Sequence, residues 1–416
     1  MAALCTSSLF FPRRLFYQGK LTILNIYRQN TIKLKCVVGY LLSGTLQLFL
    51  STFMQTTPNL EQFIPNEVTR IAYQGFQEGK KAFGFLHKQI SDRITNTVVP
   101  EQASKSTPLS PEVFEKLQVR LKALEERDWQ DAQDGVYRTS LLFDNPWSDF
   151  FRYYPELWLD MVEIWDRLQN KEFQKFDKKI DRTGYPEYYL QNFHYQTDGY
   201  LSDMSANLYD LQVEILFNGA ADAMRRRILA PLKQGLQAFA NLPPQQIKIL
   251  DVACGTGRTL RMIRGTLPKA ALFGSDLSPA YLRKANQMLS EIPGELPQLL
   301  QANAEALPYL DNYFHGLSSV FLFHELPASA RQAVINEAFR VLQPGGVFVI
   351  ADSIQATDSP DFAEMMNNFP AIFHEPYYRH YTTDNLEARL SEAGFINLKV
   401  ENHFVSKYWT AYKPVV

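Results

Sequence analysis

The stretch Ile247–Leu260, IKILDVACGTGRTL, decides the fold. Ile247, Ile249, Leu250 and Val252 form the apolar run of a buried strand, which passes through Asp251 into a turn holding Gly255 and Gly257. Glycine at these positions lets the backbone turn tightly and approach a ligand that a side chain would block. The helix pattern that follows aims its first amides at the same crevice. Such a turn alone is weak information, because it also suits dinucleotide binding.

Downstream, short apolar runs alternate with helix patterns: ALFGSD ending at Asp276, a run near Gln298–Asn303, LSSVFLF ending at Phe323, and GVFVIADS ending at Ser353. That alternation predicts an α/β doubly wound, mainly parallel sheet with helices on both faces. Phe395–His403 and Phe404–Tyr412 read as two closely joined strands, and so short a connection permits only an antiparallel pair. Asp276 ends the second strand, where a carboxylate can accept both hydroxyls of a ribose; as an isolated residue ahead of Ser278-Pro279 it would sooner cap the next helix, and only the full ordered set of motifs turns the reading to ligand binding. Asp251, Asp276, Asn303, His324 and Asp352 all fall at the carboxyl ends of predicted strands, where open parallel sheets bind ligands.

Two further features single out one family. Ala302-Asn303-Ala304-Glu305-Ala306-Leu307-Pro308-Tyr309 follows the third strand, and Arg340-Val341-Leu342-Gln343-Pro344-Gly345-Gly346 precedes the fifth. With the glycine turn, Asp276 and the closing hairpin, this ordered set resembles the class I S-adenosylmethionine-dependent methyltransferases over roughly Gln245–Lys413. It looks closest to the type 11 group, which includes the ubiquinone/menaquinone C-methyltransferases. The resemblance implies a Rossmann-like, seven-stranded sheet and S-adenosyl-L-methionine as cofactor. It implies that Asp251 and the turn through Gly255 and Gly257 hold the methionine end, that Asp276 binds the ribose, and that Asn303 and Ala304 face the adenine, with Ala253 and Leu277 also among the cofactor-binding residues. Ala253 stands where the family often has Gly, and Asn303 where it usually has Asp. Ala is small, and Asn still accepts an amino hydrogen without charge, so neither change predicts an inactive protein.

Methyl transfer from a sulfonium is a direct displacement, so the protein mainly aligns the reactants and excludes water. A base is needed only where the acceptor loses a proton. His324, in Phe323-His324-Glu325-Leu326-Pro327 after the fourth strand, is the candidate general base, with Glu325 placed to orient it; a structural histidine is the plainer alternative. In Phe369–Tyr381, His374, Tyr377, Tyr378 and His380 are candidates for roofing a small aromatic or prenylated, quinol-like acceptor, against a merely packed lid. His374, Glu375 and His380 have metal-binding side chains, but no second cluster has ligand spacing, so no metal is expected. A nicotinamide-dependent oxidoreductase leaves Leu342–Gly346 unexplained and would need a third glycine. A non-catalytic binder of the same fold would have little use for the intact Asp251, Gly255, Gly257 and Asp276.

The first half of the chain reads differently. Its 416 residues exceed one average domain of roughly 150, and four segments are expected: 1–57, 58–110, 111–240 and 241–416. Residues 1–60 hold Arg13, Arg14, Lys20, Arg28, Lys33 and Lys35 with no acid, so the net charge of -2 hides a remainder at -8. An acidic body makes nucleic acid a poor partner. The basic leader, rich in Ser and Thr, reads as transit- or anchor-like or as sequence upstream of a true start at Met54; Cys36–Met54 has the length of a membrane span but many polar residues. Three cysteines (Cys5, Cys36, Cys254) suit a reducing compartment. The expected location is cytoplasmic, with peripheral membrane contact or a plastid as alternatives.

From Asn66 to Thr97 apolar residues recur at helical spacing beside Lys80, Lys81, Lys88 and Arg93, as in a helix packed on the body or lying on a membrane. Glu101–Ser110 reads as a linker, and Ser110-Pro111-Glu112 as a capped helix start. Helices are expected over Tyr153–Leu168 and Ser205–Leu232, with no strand before Gln245. Gln191–Arg227 resembles the helical leader of uncharacterised cyanobacterial and plastid methyltransferases. Its Tyr195, Tyr200 and Tyr209 are expected to close the cofactor pocket, and Arg225-Arg226-Arg227 to lie solvated.

Overall fold

The computed structural model describes residues 66–98 and 109–415. The basic leader, its span-length apolar stretch and most of the linker lie outside the described residues. Helices come first: α1 (Asn66–Val98), α2 (Pro111–Gln133), α3 (Trp147–Asn170), α4 (Asp203–Leu216), α5 (Ala221–Arg226) and α6 (Leu229–Gly235). The Ser110 side chain accepts a hydrogen bond from Val113 N at 3.2 Å, the cap that its sequence predicts. The single long helix expected over Ser205–Leu232 is instead α4, α5 and α6. Asn218 (φ 52°) and Gly219 (φ +85°) turn the chain between the first two, since a left-handed residue cannot continue a right-handed helix.

The second half is β1 (Lys248–Val252), α7 (Arg258–Thr266), β2 (Ala271–Asp276), α8 (Pro279–Ser290), β3 (Gln298–Gln301), β4 (Phe314–Val320), α9 (Ala328–Val341) and β5 (Leu342–Ser353), then α10 (Ala363–Ile372), α11 (Tyr378–Tyr381), α12 (Leu386–Glu392), β6 (Ile396–His403) and β7 (Ser406–Tyr412). The seven strands form one sheet in the order β3-β2-β1-β4-β5-β7-β6. The first five are parallel; β7 lies antiparallel between β5 and β6. Alternate residues serve opposite faces, as a pleated strand requires. Ile249, Val347 and Val349 join Leu229 and Leu232 on one side, whereas Leu250, Phe348 and Ile350 join Val334 and Ala338 on the other. α6 approaches so closely that a Cβ at Gly235 would stand 2.5 Å from Val347.

Buried ion pairs tie the early helices to the sheet. Asp128 on α2 is fully buried and accepts from Arg226 Nε (2.8 Å) and Nη2 (2.7 Å) and from the hydroxyls of Tyr73 and Tyr137 (2.7 Å each). Arg225 pairs with Asp222 (3.2 Å) and Asp210 (3.5 Å), Arg227 with Asp131, and Arg258 on α7 donates to Asp222 at 2.7 Å. The expectation that Arg225-Arg226-Arg227 is solvated is therefore wrong: all three are buried, each opposite an aspartate supplied by α2, α4 or α5. Although burial opposes ionisation of Asp222, Arg258 and Arg225 hold its carboxyl well below the usual range. α1 packs on these helices through buried Tyr73 and the buried Lys80–Glu214 pair (2.8 Å). Among the described residues no helix is long and apolar enough to cross a membrane.

Candidate functional site

The strand order reverses between β1 and β4, which opens a crevice at their carboxyl ends. The turn after β1 carries three left-handed residues, Ala253 (φ 56°), Gly255 (φ +53°) and Gly257 (φ +78°). The two glycines are there for different reasons. A Cβ at Gly257 would meet Ala285 Cβ at 3.0 Å and Leu289 at 3.1 Å, so this residue lets α7 seat against α8. At Gly255 the nearest protein atom would be 3.9 Å away, on Tyr281, and the added carbon would stand in an open cavity. Ala253 occupies the backbone region where Gly is at home, which carries a cost of about 1–2 kcal/mol for any L side chain.

Asp276 fastens this turn. Its Oδ2 accepts from Gly255 N (2.9 Å) and its Oδ1 from Ser278 N (2.8 Å), leaving each oxygen a further lone pair toward the cavity. Burial raises its pKa to about 6, against the lowering effect of those two amides. Ser278, not Asp276, caps α8, accepting from Tyr281 N at 3.2 Å. Asp251 sits lower. It is buried, accepts from the Ser318 hydroxyl at 2.6 Å, and is raised by desolvation to about 7.

The cavity measures about 790 Å³ with its open mouth. Of the residues predicted to bind cofactor, Ala253, Gly255, Asp276, Leu277, Asn303 and Ala304 line it; Asp251 and Gly257 do not. Asn303 Oδ1 accepts from Glu305 N (3.0 Å), while Glu305 takes the Tyr188 hydroxyl (2.7 Å). The opposite wall is aromatic and comes from the helical half: Tyr188, Tyr189, Phe193, Tyr200 and Tyr209, with Tyr281 beneath. Tyr200 and Tyr209 thus stand where expected. Tyr195 lies outside the lining, its carbonyl held by Arg167 Nε at 2.7 Å.

At the end of β4, the turn Phe323–Glu325 brings a carboxylate and an imidazole to the cavity's edge. Glu325 lines the cavity and accepts from the Tyr200 hydroxyl. His324 faces away from the lining, with Nδ1 2.7 Å from Asp352 Oδ1 and Nε2 3.9 Å from Glu325. Burial alone would lower the His324 pKa, but Asp352, with Glu325 and Glu375 nearby, lifts it to about 9. That shift favours the imidazolium at neutral pH. Sequence reasoning gave Glu325 only the role of orienting His324, weighed Glu375 only beside His374 and His380, and missed His194. His194 Nε2 lies 2.8 Å from Glu375 Oε1 and 3.7 Å from Glu325 Oε1. These carboxylates overcome the effect of burial and raise the His194 pKa to about 10. The pairing spans 181 positions of sequence and left no local signal.

The four residues expected to roof an acceptor are not gathered together. His374 stacks on Phe173 (ring centroids 4.5 Å) with Nε2 2.7 Å from Gln191. Tyr378 is buried with its hydroxyl 2.9 Å from Ser353 Oγ, and His380 contacts Arg331 at 2.9 Å. Tyr377 alone reaches the aromatic wall, edge-on to Tyr188 at 6.3 Å.

Comparison with known proteins agrees with this architecture. The family described as methyltransferase domain matches residues 249–346. The chain is 33% identical over 220 residues to the ubiquinone/menaquinone biosynthesis C-methyltransferase UbiE of Syntrophotalea carbinolica, covering 49% of this chain and 84% of that protein. It is 32% identical over 144 residues to the demethylmenaquinone methyltransferase of Thermus thermophilus (35% of this chain, 60% of that one). It is 30% identical over 194 residues to the malonyl-[acyl-carrier protein] O-methyltransferase of Geobacter sulfurreducens (44% and 68%). The first of several such relatives are matched over only 60% and 56% of their length. With the glycine turn, the carboxylate of Asp276 and a cavity at the switch point, the chain belongs to the class I methyltransferases, whose cofactor is S-adenosyl-L-methionine.

Proposed function

We propose that this protein transfers a methyl group from S-adenosylmethionine to a small hydroxylated aromatic acceptor, a prenylated quinol being the form that two relatives' names suggest. The observation that carries the reading is the cavity itself: Asp276 and Asn303 on one side, aromatic rings on the other, and the Glu325 carboxylate at its edge. The cofactor supplies both the methyl group and its leaving group. Asp276 takes the ribose hydroxyls, Leu277, Asn303 and Ala304 flank the adenine, and Ala253 and Gly255 receive the methionine end. Asp251 and Gly257 support the turn from below. The rings of Tyr188, Tyr189 and Tyr200 clamp a flat acceptor and keep water out. His324, held protonated by Asp352, positions the end of β4 and leaves proton removal to another group.

A prenylated acceptor would bring the protein to a membrane surface, and α1 exposes Val68, Ile71, Phe85 and Leu86 for such a peripheral contact. The direct test incubates purified protein with methyl-labelled S-adenosylmethionine and, separately, a reduced naphthoquinol, a reduced benzoquinol and a malonyl thioester. Label transferred to a quinol ring supports the reading; transfer to the thioester alone overturns the choice of acceptor.

A further inference from the structure

The side chains of His194, Glu325 and Glu375 offer one nitrogen and two carboxylate oxygens that all lie within 4.8 Å of one another. They come from three separate segments: the turn before α4, the turn after β4, and the segment between α10 and α11. Glu375 is 97% buried, its relative exposure being 3%, and neither of its oxygens accepts a well-aligned hydrogen bond, His194 being its one close polar neighbour. His194 Nε2 comes within 2.8 Å of one of them, an ion-pair distance. A second carboxylate, Glu325, is brought against the same imidazole at 3.7 Å. A buried carboxylate without hydrogen bonds is costly, and so is placing a second one beside it. The His194 side chain keeps 23% of its surface exposed and Glu325 15%, and Glu325 also lines the cavity.

We propose that His194, Glu325 and Glu375 bind one divalent first-row metal ion at the acceptor end of the cavity. One imidazole and two carboxylates form a mixed nitrogen–oxygen donor set of the kind taken by Zn²⁺ or Mn²⁺, and the remaining coordination positions face the cavity. The ion displaces to solvent the proton that His194 otherwise holds against Glu375, and takes over the neutralisation of the two buried carboxylates. Its use in the reaction rests on the methyl-transfer reading: bound beside the acceptor, it coordinates a hydroxyl oxygen and stabilises the oxyanion, whose proton passes to water.

The test uses the full chain, freed of metal with a chelator and titrated with Mn²⁺ while electron paramagnetic resonance follows the free ion; Zn²⁺ is then added as competitor. Wild type is expected to take up one equivalent of Mn²⁺, displaced by Zn²⁺. Glu375→Gln and His194→Gln should each weaken uptake by about 100-fold, at the upper end of what even indirect metal-site changes produce. Glu375 does not line the cofactor cavity, so Glu375→Gln should bind S-adenosylhomocysteine as wild type does, which also shows that the variant is folded. No stoichiometric uptake by wild type, or equal uptake by both variants, overturns the metal site. Mn²⁺ uptake without S-adenosylhomocysteine binding would overturn the methyl-transfer reading and leave the metal site standing.

Discussion

Replacing Asp276 by Asn separates ligand binding from fold maintenance. The carboxylate accepts the Gly255 and Ser278 amides, one on each oxygen, and has one further lone pair on each for a ribose hydroxyl. Hydrogen bonds to a charged group contribute about 1.5–3 kcal/mol each, so loss of both ribose contacts removes roughly 3–6 kcal/mol of binding, or two to four orders of magnitude in affinity. Asn keeps one acceptor oxygen and turns an NH2 toward the other partner, so the loss should reach at least the lower end of that range. Stability moves much less. One backbone amide loses its acceptor, costing about 1–3 kcal/mol, while removal of a carboxylate already raised to about 6 by burial works the other way. Isothermal titration with S-adenosylhomocysteine, alongside urea unfolding, reads both quantities. An affinity within threefold of wild type, in a protein that unfolds normally, would refute the ribose assignment.

The two glycines of the turn should respond differently to alanine. Gly257→Ala should destabilise the fold by about 1–2 kcal/mol or more through its φ of +78° and the 3.0 Å approach to Ala285, whereas Gly255→Ala should also weaken cofactor binding; equal effects on binding would contradict the cavity geometry. Asp128→Ala strands Arg226 in the interior and should cost about 3–5 kcal/mol in urea unfolding, while Asp128→Leu with Arg226→Met should cost clearly less than the two single changes together; simple additivity would mean that the pair is not coupled. The pH dependence follows from Asp251 and Asp276, whose pKa values of about 7 and about 6 lie above the ordinary value of about 3.9. The native state binds more protons than the unfolded chain across that window, so their contribution lowers stability as pH rises from about 4 to 7. Cofactor affinity runs the opposite way, falling below about pH 6 as Asp276 protonates. Asp276→Asn should flatten both slopes, and unchanged slopes would show that other groups set them.

The sheet was legible because each strand is a local pattern. IKILDV, ALFGSD and GVFVIADS announce buried strands, and the short link before Ser406 fixes an antiparallel hairpin. Much of the cavity lining was legible for the same reason, since Gly255, Asp276 and Asn303 each end or follow a strand. What stayed hidden depended on distance in sequence. Nothing near Arg225-Arg226-Arg227 tells that Asp128 and Asp131, almost a hundred residues earlier, lie opposite them in the interior. His324 could be located but not charged: its pKa depends on Asp352, which β5 places beside it. The roofing expectation for His374, Tyr378 and His380 failed because an aromatic-rich segment has many ways to pack, and α10 and α11 turn those side chains toward Phe173, Ser353 and Arg331.

The helical half supplies more than a support. The matched methyltransferase region ends at residue 346 and begins at 249, yet five of the rings that wall the cavity, from Tyr188 to Tyr209, precede it, and two of the three cluster residues, His194 and Glu375, fall on either side of it. The residues proposed to contact the cofactor lie inside that region, whereas much of the wall proposed to face the acceptor comes from segments outside it. The buried Arg226–Asp128 and Arg258–Asp222 pairs give those segments a fixed seat, because sliding α2 or α5 away would leave charges unpaired in the interior. If the wall held this way binds the acceptor, exchanging Tyr188, Tyr189 or Tyr200 for Ala should change acceptor preference while leaving S-adenosylhomocysteine affinity within about tenfold, a loss of no more than about 1.4 kcal/mol. A collapse of cofactor affinity in all three would instead place the rings against the adenosyl group.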